Sequence, residues 1–197
     1  MALVLTNADI ISALPYLAHI YAKAQGGSVT TLISDEFLNL NDDVTGAAIT
    51  FLNGDNVGVT EPITLVTDST VTFAAVTTAI DASTTYGVIF ESFDSFVTRA
   101  YDVIKNSFRN MGKDLDLFLT VAQIKELHLL KTLELICLSK RRDAIDTDIN
   151  HMNYIEFKGQ YEIEVTTLKA DYDYNEDGVI DGDDEALANT GQVVLSK

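Results

Sequence analysis

The sequence predicts an α+β protein: a helical core carrying an inserted small β module and ending in an acidic loop. Three observations predict it. Residues Thr120–Arg142, TVAQIKELHLLKTLELICLSKRR, place apolar residues at Val121, Ile124, Leu127, Leu130, Leu133 and Ile136, with Leu129, Leu135 and Leu138 beside them. Steps of three and four put most of these on one broad helical face. Residues Ser28–Phe90 are rich instead in Thr, Val, Asp and Gly, and between Lys23 and Arg99 the chain contains no Lys or Arg. Finally, DYNEDGVIDGDD near the C-terminus crowds oxygen-bearing side chains around one glycine.

The composition bounds the function. A chain of 197 residues is long enough to bury a substantial core in one domain or two small ones. An apolar fraction of 47 % favours an ordered protein despite a net charge of −17. That charge argues against binding nucleic acid by phosphate neutralisation, which needs a basic footprint. The single Cys137 has no internal partner and lies in the long helical pattern, where it reads as a small buried apolar residue. MALVLTNADI lacks a basic start and reaches a polar cap within a few residues, so no signal peptide is expected. No apolar run approaches the roughly 18 residues of a membrane span. A soluble protein made in the cytosol, with no membrane partner, is the expectation.

In chain order, residues 1–27 read as an N-terminal helix. Thr6 or Asn7 caps it, Ile10, Leu14, Leu17, Tyr21 and Ala24 form its stripe, Pro15 kinks or splits it, and Gly26-Gly27 ends it. Residues 28–90 read as the inserted β module, with strands in AITFL, ITLV, VTFAAV and YGVIF. Asn53-Gly54 signals a hairpin, and Glu61-Pro62 and Asp68-Ser69 signal further turns. The module is either a lateral contact surface or an insertion without a partner of its own.

Residues 91–142 read as a long antiparallel helix pair. Phe93, Phe96/Val97, Ala100, Ile104, Phe108 and Met111 form the first stripe, and Gly112 stops it. Thr120 and Gln123 make a capping box for the second helix, with Leu119 and Ile124 as a hydrophobic staple. Its 23 residues span about 34 Å. Residues 143–197 hold a further helical pattern, Tyr154, Phe157, Tyr161, Val165, Leu168 and Tyr172, and then the acidic loop and an extended tail. His19, His128 and His151 show no metal-ligand spacing with one another or with acids. No nucleophile–base set or phosphate loop is present, so an enzyme is not expected and no catalytic residue is assigned.

The loop has one register that works. With Gly178 at the sixth position, where the sharp turn needs a residue without Cβ, Asp173, Asn175 and Asp177 occupy positions one, three and five. Val179 offers its carbonyl at seven, Asp181 sits at nine and Asp184 at twelve, while Ile180 at eight points inward. This is the pattern of an EF-hand-like loop for Ca²⁺, with a shorter Asp184 in place of the usual bidentate Glu. Starting at Asp171 would push Gly178 to eight. With no second loop to pair with, a structural clip is expected rather than a sensor.

Charge falls in three blocks. Residues before Arg99 carry 1 Lys and 11 acids, a net −10. Arg99–Arg142 carry 9 Lys/Arg and 5 acids, a net +4, and the remainder carries 3 Lys and 14 acids, a net −11. A basic segment between acidic ones suits head-to-tail contacts between copies or, equally, ordinary solvated faces.

The succession of a helical hairpin, the run LELICLSKRR, the segment NYIEFKGQYEIEV, the loop DYDYNEDGVIDGDDE and the tail GQVVLSK resembles head–tail connector (adaptor or neck) proteins of tailed bacteriophages. The likeness covers roughly Ser92–Lys197; the Ser28–Phe90 insertion departs from the pattern. The resemblance implies a virion structural protein working as a homo-oligomeric ring beneath the portal. Portal and tail or neck proteins would be its partners, DNA would pass through without specific binding, and Gln192–Lys197 would dock on a neighbour. Within the loop, DxNxDGxID…D followed by Leu187 is similar to dockerin-type repeats, which implies the alternative of a calcium-dependent adhesion or scaffold module.

Overall fold

The computed structural model describes residues 5–38, 44, 46–117, 121–141, 148–168 and 172. The protein is mixed α+β, and the described residues form four α-helices and two four-stranded antiparallel sheets. The chain divides into two compact units, Thr6–Asp94 and a second formed from Ser95 onward.

The first unit opens with α1, Asn7–Ala13. Thr6 accepts from the Asp9 amide at 3.4 Å while Asp9 Oδ2 accepts from the Thr6 amide at 2.9 Å, a reciprocal cap of two otherwise unpaired donors. Here the expected N-terminal helix over residues 1–27 is corrected. Pro15 has no amide hydrogen and its ring clashes with the preceding turn, so α1 ends at Ala13 and a single 3-10 turn follows at Pro15–Leu17. Ile20–Lys23 is then strand β1, and Gly26–Gly27, expected as a helix stop, is strand β2. A Cβ on Gly27 would collide with the Thr31 carbonyl, so the close approach of β2 to the next strand requires glycine there.

The other strands are β3 (Thr31–Ile33), β4 (Ala48–Phe51), β5 (Thr60–Pro62), β6 (Leu65–Thr67), β7 (Thr70–Thr72) and β8 (Thr85–Ile89). Their orders are β1-β8-β4-β5 and β2-β3-β7-β6. The edges of these sheets are continuous with each other. Between β1 and β2, Ala24 donates to the Thr84 carbonyl at 2.9 Å and Gln25 to Ile33 at 2.8 Å. Between β5 and β6, Ile63 donates to Ala47 at 2.7 Å and Thr64 to Thr72 at 2.9 Å. Strands that switch sheets in this way close the ladder into a small barrel and leave few unpaired edge groups. The β structure therefore begins at Ile20 rather than Ser28, and α1 belongs to the same unit.

The barrel is filled by side chains. Leu32, Ile49, Phe51, Val71, Phe73, Tyr86 and Val88 are buried in one cluster, with Phe51 and Phe73 edge to face at 5.4 Å and Phe37 stacked on Tyr86 at 5.8 Å. The Asn53-Gly54 signal lies in the β4–β5 hairpin, with Gly54 at φ 71. Asn56 is buried there and clamps Thr78, donating to its carbonyl at 2.7 Å and accepting its amide at 3.1 Å. Asp68-Ser69 turns β6 into β7, with Asp68 at φ 49. Glu61-Pro62, expected as a turn, lies in β5 instead, where Pro62 sits at the strand's last position and owes the ladder no amide.

In the second unit, α2 (Asp94–Asn110) stops at Gly112, φ 74, with the Lys113 amide returning to the Phe108 carbonyl at 2.9 Å. Next come α3 (Val121–Lys140) and α4 (Ile149–Thr167), the latter capped by Asp148 on the Asn150 amide at 2.9 Å. Ile104 and Phe108 of α2 cluster with Leu115 and with Ile124 and Leu127 of α3, and Tyr161, Val165 and Leu168 of α4 pack against them. Tyr172 closes the same cluster and accepts the Asp114 amide at 3.0 Å. α4 runs back along α3, since Arg141 lies over the Tyr154 ring at 5.2 Å and Lys131 over the Tyr161 ring at 4.8 Å.

Candidate functional site

The expected Ca²⁺ loop, with Asp173, Asn175, Asp177, Val179, Asp181 and Asp184, lies outside the described residues, as do Thr120 and Leu119 of the expected α3 cap and the tail from Gln192. Among the described residues, no three His, Cys, Asp or Glu side chains gather as metal ligands. Two other arrangements carry chemistry: a polar set inside the second unit and an apolar face on its surface.

The polar set sits where α2, α3 and α4 meet. Lys131 Nζ is 2.7 Å from Glu134 Oε2, with side-chain exposures of 15 % and 7 %, so the pair is largely shielded from water. The same ammonium covers the Tyr161 ring. Burial pushes the Tyr161 hydroxyl above its ordinary value, the Ser107 hydroxyl draws it back, and the Glu134 charge raises it again. One turn earlier on α3, His128 Nε2 lies 2.8 Å from the Val97 carbonyl of α2, while its Nδ1 is buried without a hydrogen-bond partner. A carbonyl only accepts, so Nε2 carries a hydrogen and donates it to Val97. Burial holds the imidazole below 6.5, only partly opposed by the Val97 bond. These groups satisfy one another across helices, which is the behaviour of registration pins. His128, expected to be no metal ligand, is bonded to backbone here.

The apolar face follows from a difference between α3 and α4. The nine apolar positions named for α3 were expected to be covered by other helices of the same subunit or of a neighbour. In the structure Thr132, Leu133, Glu134, Leu135, Ile136 and Cys137 are consecutive and all buried. A helix buried nearly all round is an interior helix, so the chain itself covers this stretch of α3, the first of the two kinds of cover expected. Cys137 is buried, as read from sequence.

The uncovered surface is on α4. Tyr154, Phe157, Tyr161 and Val165 face inward and are half-buried. On the opposite side Ile149, Met152, Ile155 and Ile163 are 53 %, 52 %, 56 % and 61 % exposed. At 100° per residue these four and Gly159 span about 120° of the circumference. Exposed Lys158 and Glu162 line one rim, exposed Glu164 lies beyond the other, and exposed Glu156 falls within the arc between Ile163 and Ile149. The sequence reading caught only the inner stripe. The outer one was present at steps of three, three and eight, hidden because two stripes on one helix cancel each other's periodicity. A row of four large apolar side chains on one helix marks an interaction surface more than a scatter of single exposed residues does.

Charge is segregated around these features. Exposed Asp35, Glu36, Asp55, Asp68, Asp81 and Glu91 stud the first unit, where Lys23 is the lone basic residue between Thr6 and Asp94. Exposed Arg99 and Arg109 stand on α2 and exposed Lys140 and Arg141 at the end of α3, with exposed Asp102 and Glu126 on the same two helices. No helix among the described residues is long and apolar enough to cross a membrane. Compared with known protein families, curated proteins and solved structures, the chain finds no match.

Proposed function

We propose that the protein is a structural subunit of a tailed-phage virion, a head–tail connector that works as one copy of a homo-oligomeric ring at the portal or neck. The observation that carries this reading is the uneven distribution of charge along the chain, with one Lys against 11 acids over Thr6–Asp94 and a net +4 over Arg99–Arg142. Surfaces of opposite sign on one subunit favour heterologous contacts, and heterologous contacts generate rings when the rotation closes. In this reading Arg99, Arg109, Lys140 and Arg141 of one copy meet the acidic barrel of the next. The helical core supplies the body of the ring and the barrel the lateral contact. The tail from Gln192 reaches portal or tail proteins. An acidic subunit suits a channel that DNA crosses without specific binding.

The loop Asp173–Asp184 holds one Ca²⁺ in this proposal, through Asp173, Asn175, Asp177, the Val179 carbonyl, Asp181 and Asp184, and clips α4 to the tail. Its support is the ligand spacing around Gly178. The same spacing supports a second reading, a dockerin-like adhesion or scaffold module. That reading requires calcium-dependent capture of a protein partner by a chain that forms no ring.

The test is a charge reversal. Purified protein mixed with its portal complex is expected to add as a ring that dissolves as salt rises. Arg99→Glu with Arg109→Glu should abolish that ring while leaving the helical circular dichroism unchanged. A ring that forms equally well with the reversed charges would overturn the assignment of its contact.

A further inference from the structure

Asn53-Gly54 is the single Asn-Gly pair of the sequence, and the fold makes a separate demand on each half of it. Gly54 sits at φ 71, a conformation that L side chains rarely adopt, so the turn between β4 and β5 calls for glycine there. Asn53 fastens that turn to the start of β8. Its Nδ2 donates to the Ser83 carbonyl at 2.9 Å and to Thr85 Oγ1 at 3.3 Å, and its Oδ1 accepts the Thr85 amide at 2.7 Å. The Ser83 side of this clasp is itself fixed, since the Ser83 amide and hydroxyl donate to Asp81 Oδ1 at 2.8 Å and 2.6 Å. Only a carboxamide offers both a donor and an acceptor at this place; a carboxylate has acceptors alone. Asn53 and Gly54 are both exposed, so water reaches them. Glycine's missing side chain also leaves its amide nitrogen open to the carboxamide carbon of the residue before it. Turn and clasp together therefore impose a chemically labile pair.

We propose that Asn53 is a modification site: a spontaneous deamidation that the clasp slows, and whose product unfastens the β4–β5 hairpin from β8. The Gly54 amide nitrogen bonds to Asn53 Cγ, the Cγ–Nδ2 bond breaks, and ammonia leaves with the proton from the Gly54 nitrogen. Water then opens the cyclic imide at either carbonyl and gives aspartate or isoaspartate; nothing is oxidised or reduced. Nδ2 gives up its bonds to Ser83 and Thr85 as it leaves, so the reaction draws on molecules in which the clasp is open. Two such bonds keep that fraction low enough to slow the reaction about tenfold or more relative to the unfolded chain. After conversion, an acceptor oxygen faces the Ser83 carbonyl where a donor stood. Isoaspartate also adds a backbone carbon to the turn that sets the pairing of Thr50 with Thr60. Ammonia is lost to solvent, so the change runs one way. None of this depends on the ring or on calcium.

The test is to age the full chain in mildly alkaline buffer, folded and in urea side by side, and to follow the Asn53 peptide by mass mapping over weeks. The expected result is conversion of amide to acid at that peptide in both samples, about tenfold or more slower in the folded one. The converted fraction, separated by anion exchange, is then compared with unreacted protein by hydrogen exchange. The amide of Leu52, which donates to the Thr85 carbonyl at 2.8 Å, and the amide of Thr85 should exchange about tenfold faster after conversion. Exchange in β3 and β7 should stay as it was. Asn53→Asp makes one product directly and should show the same faster exchange. Asn53→Gln, whose extra methylene disfavours the cyclic imide, should gain no acid at that peptide. Equal rates in the folded and urea samples would overturn the role of the clasp. A folded chain that never converts while the urea sample does would overturn the site. Unchanged Leu52 and Thr85 exchange in the converted fraction would overturn the unfastening, and that fraction gives the answer even where Asn53→Asp fails to fold.

Discussion

His128 and the Lys131–Glu134 pair show how single residues hold the second unit together. The imidazole is neutral, donates to Val97 and has a buried Nδ1 with no partner. Its folded value lies below the ordinary 6.5, so the unfolded chain takes up the proton first as pH falls. The stability His128 contributes is complete above about 6.5 and is lost as pH drops toward the lower folded value. Thermal melts between pH 7.5 and 5.5 should show this loss, and a His128→Gln chain should show a shallower pH slope. Glu134 makes a second prediction. Glu134→Ala leaves Lys131 without its close partner in a shielded site, which should lower stability by about 3 kcal/mol. Lys131→Met with Glu134→Leu should recover most of it, as chemical denaturation of the parent and the two variants would show. In the barrel, burial pushes the Tyr86 hydroxyl up to about 12, the Ser34 hydroxyl alongside only partly opposing it. Tyr86 should therefore stay protonated well after the exposed tyrosines have titrated.

At the scale of elements, legibility followed how many surfaces an element serves. α2 has one covered face, and its stripe from Ala100 to Phe108 and its stop at Gly112 were readable. The strands AITFL and YGVIF were readable because β-branched and aromatic residues cluster between turn signals. Ile20–Lys23 was not, because its apolar residues also continue the helical spacing of α1. The break at Pro15 and the alternation of buried Ile20, exposed Tyr21 and exposed Lys23 were the signals that favoured a strand. α3 was read as one broad stripe when its run from Thr132 to Cys137 is interior throughout. α4 carries two opposite apolar faces and only the inner one was found. The cap on α1 gives a prediction at this scale. Thr6→Ala removes the acceptor for the Asp9 amide and should cost about 1 kcal/mol in the stability of the first unit.

For the whole molecule, function is argued from an uneven distribution of charge, −10 over Thr6–Asp94 against +4 over Arg99–Arg142. The site predicted most sharply from sequence, Asp173–Asp184, lies outside the described residues, so its support remains the ligand spacing. Calcium titration by calorimetry should show one site, abolished by Asp177→Asn, with a lower melting temperature in chelator. No heat with calcium and no change in chelator would remove the clip. The connector reading stands or falls on arrangement in the particle, and density for the assembled neck tests it most directly. The account predicts several copies of this chain around one axis, with Arg99 and Arg109 of each against the acidic barrel of the next. An isolated copy whose basic side and barrel touch no other copy would contradict it.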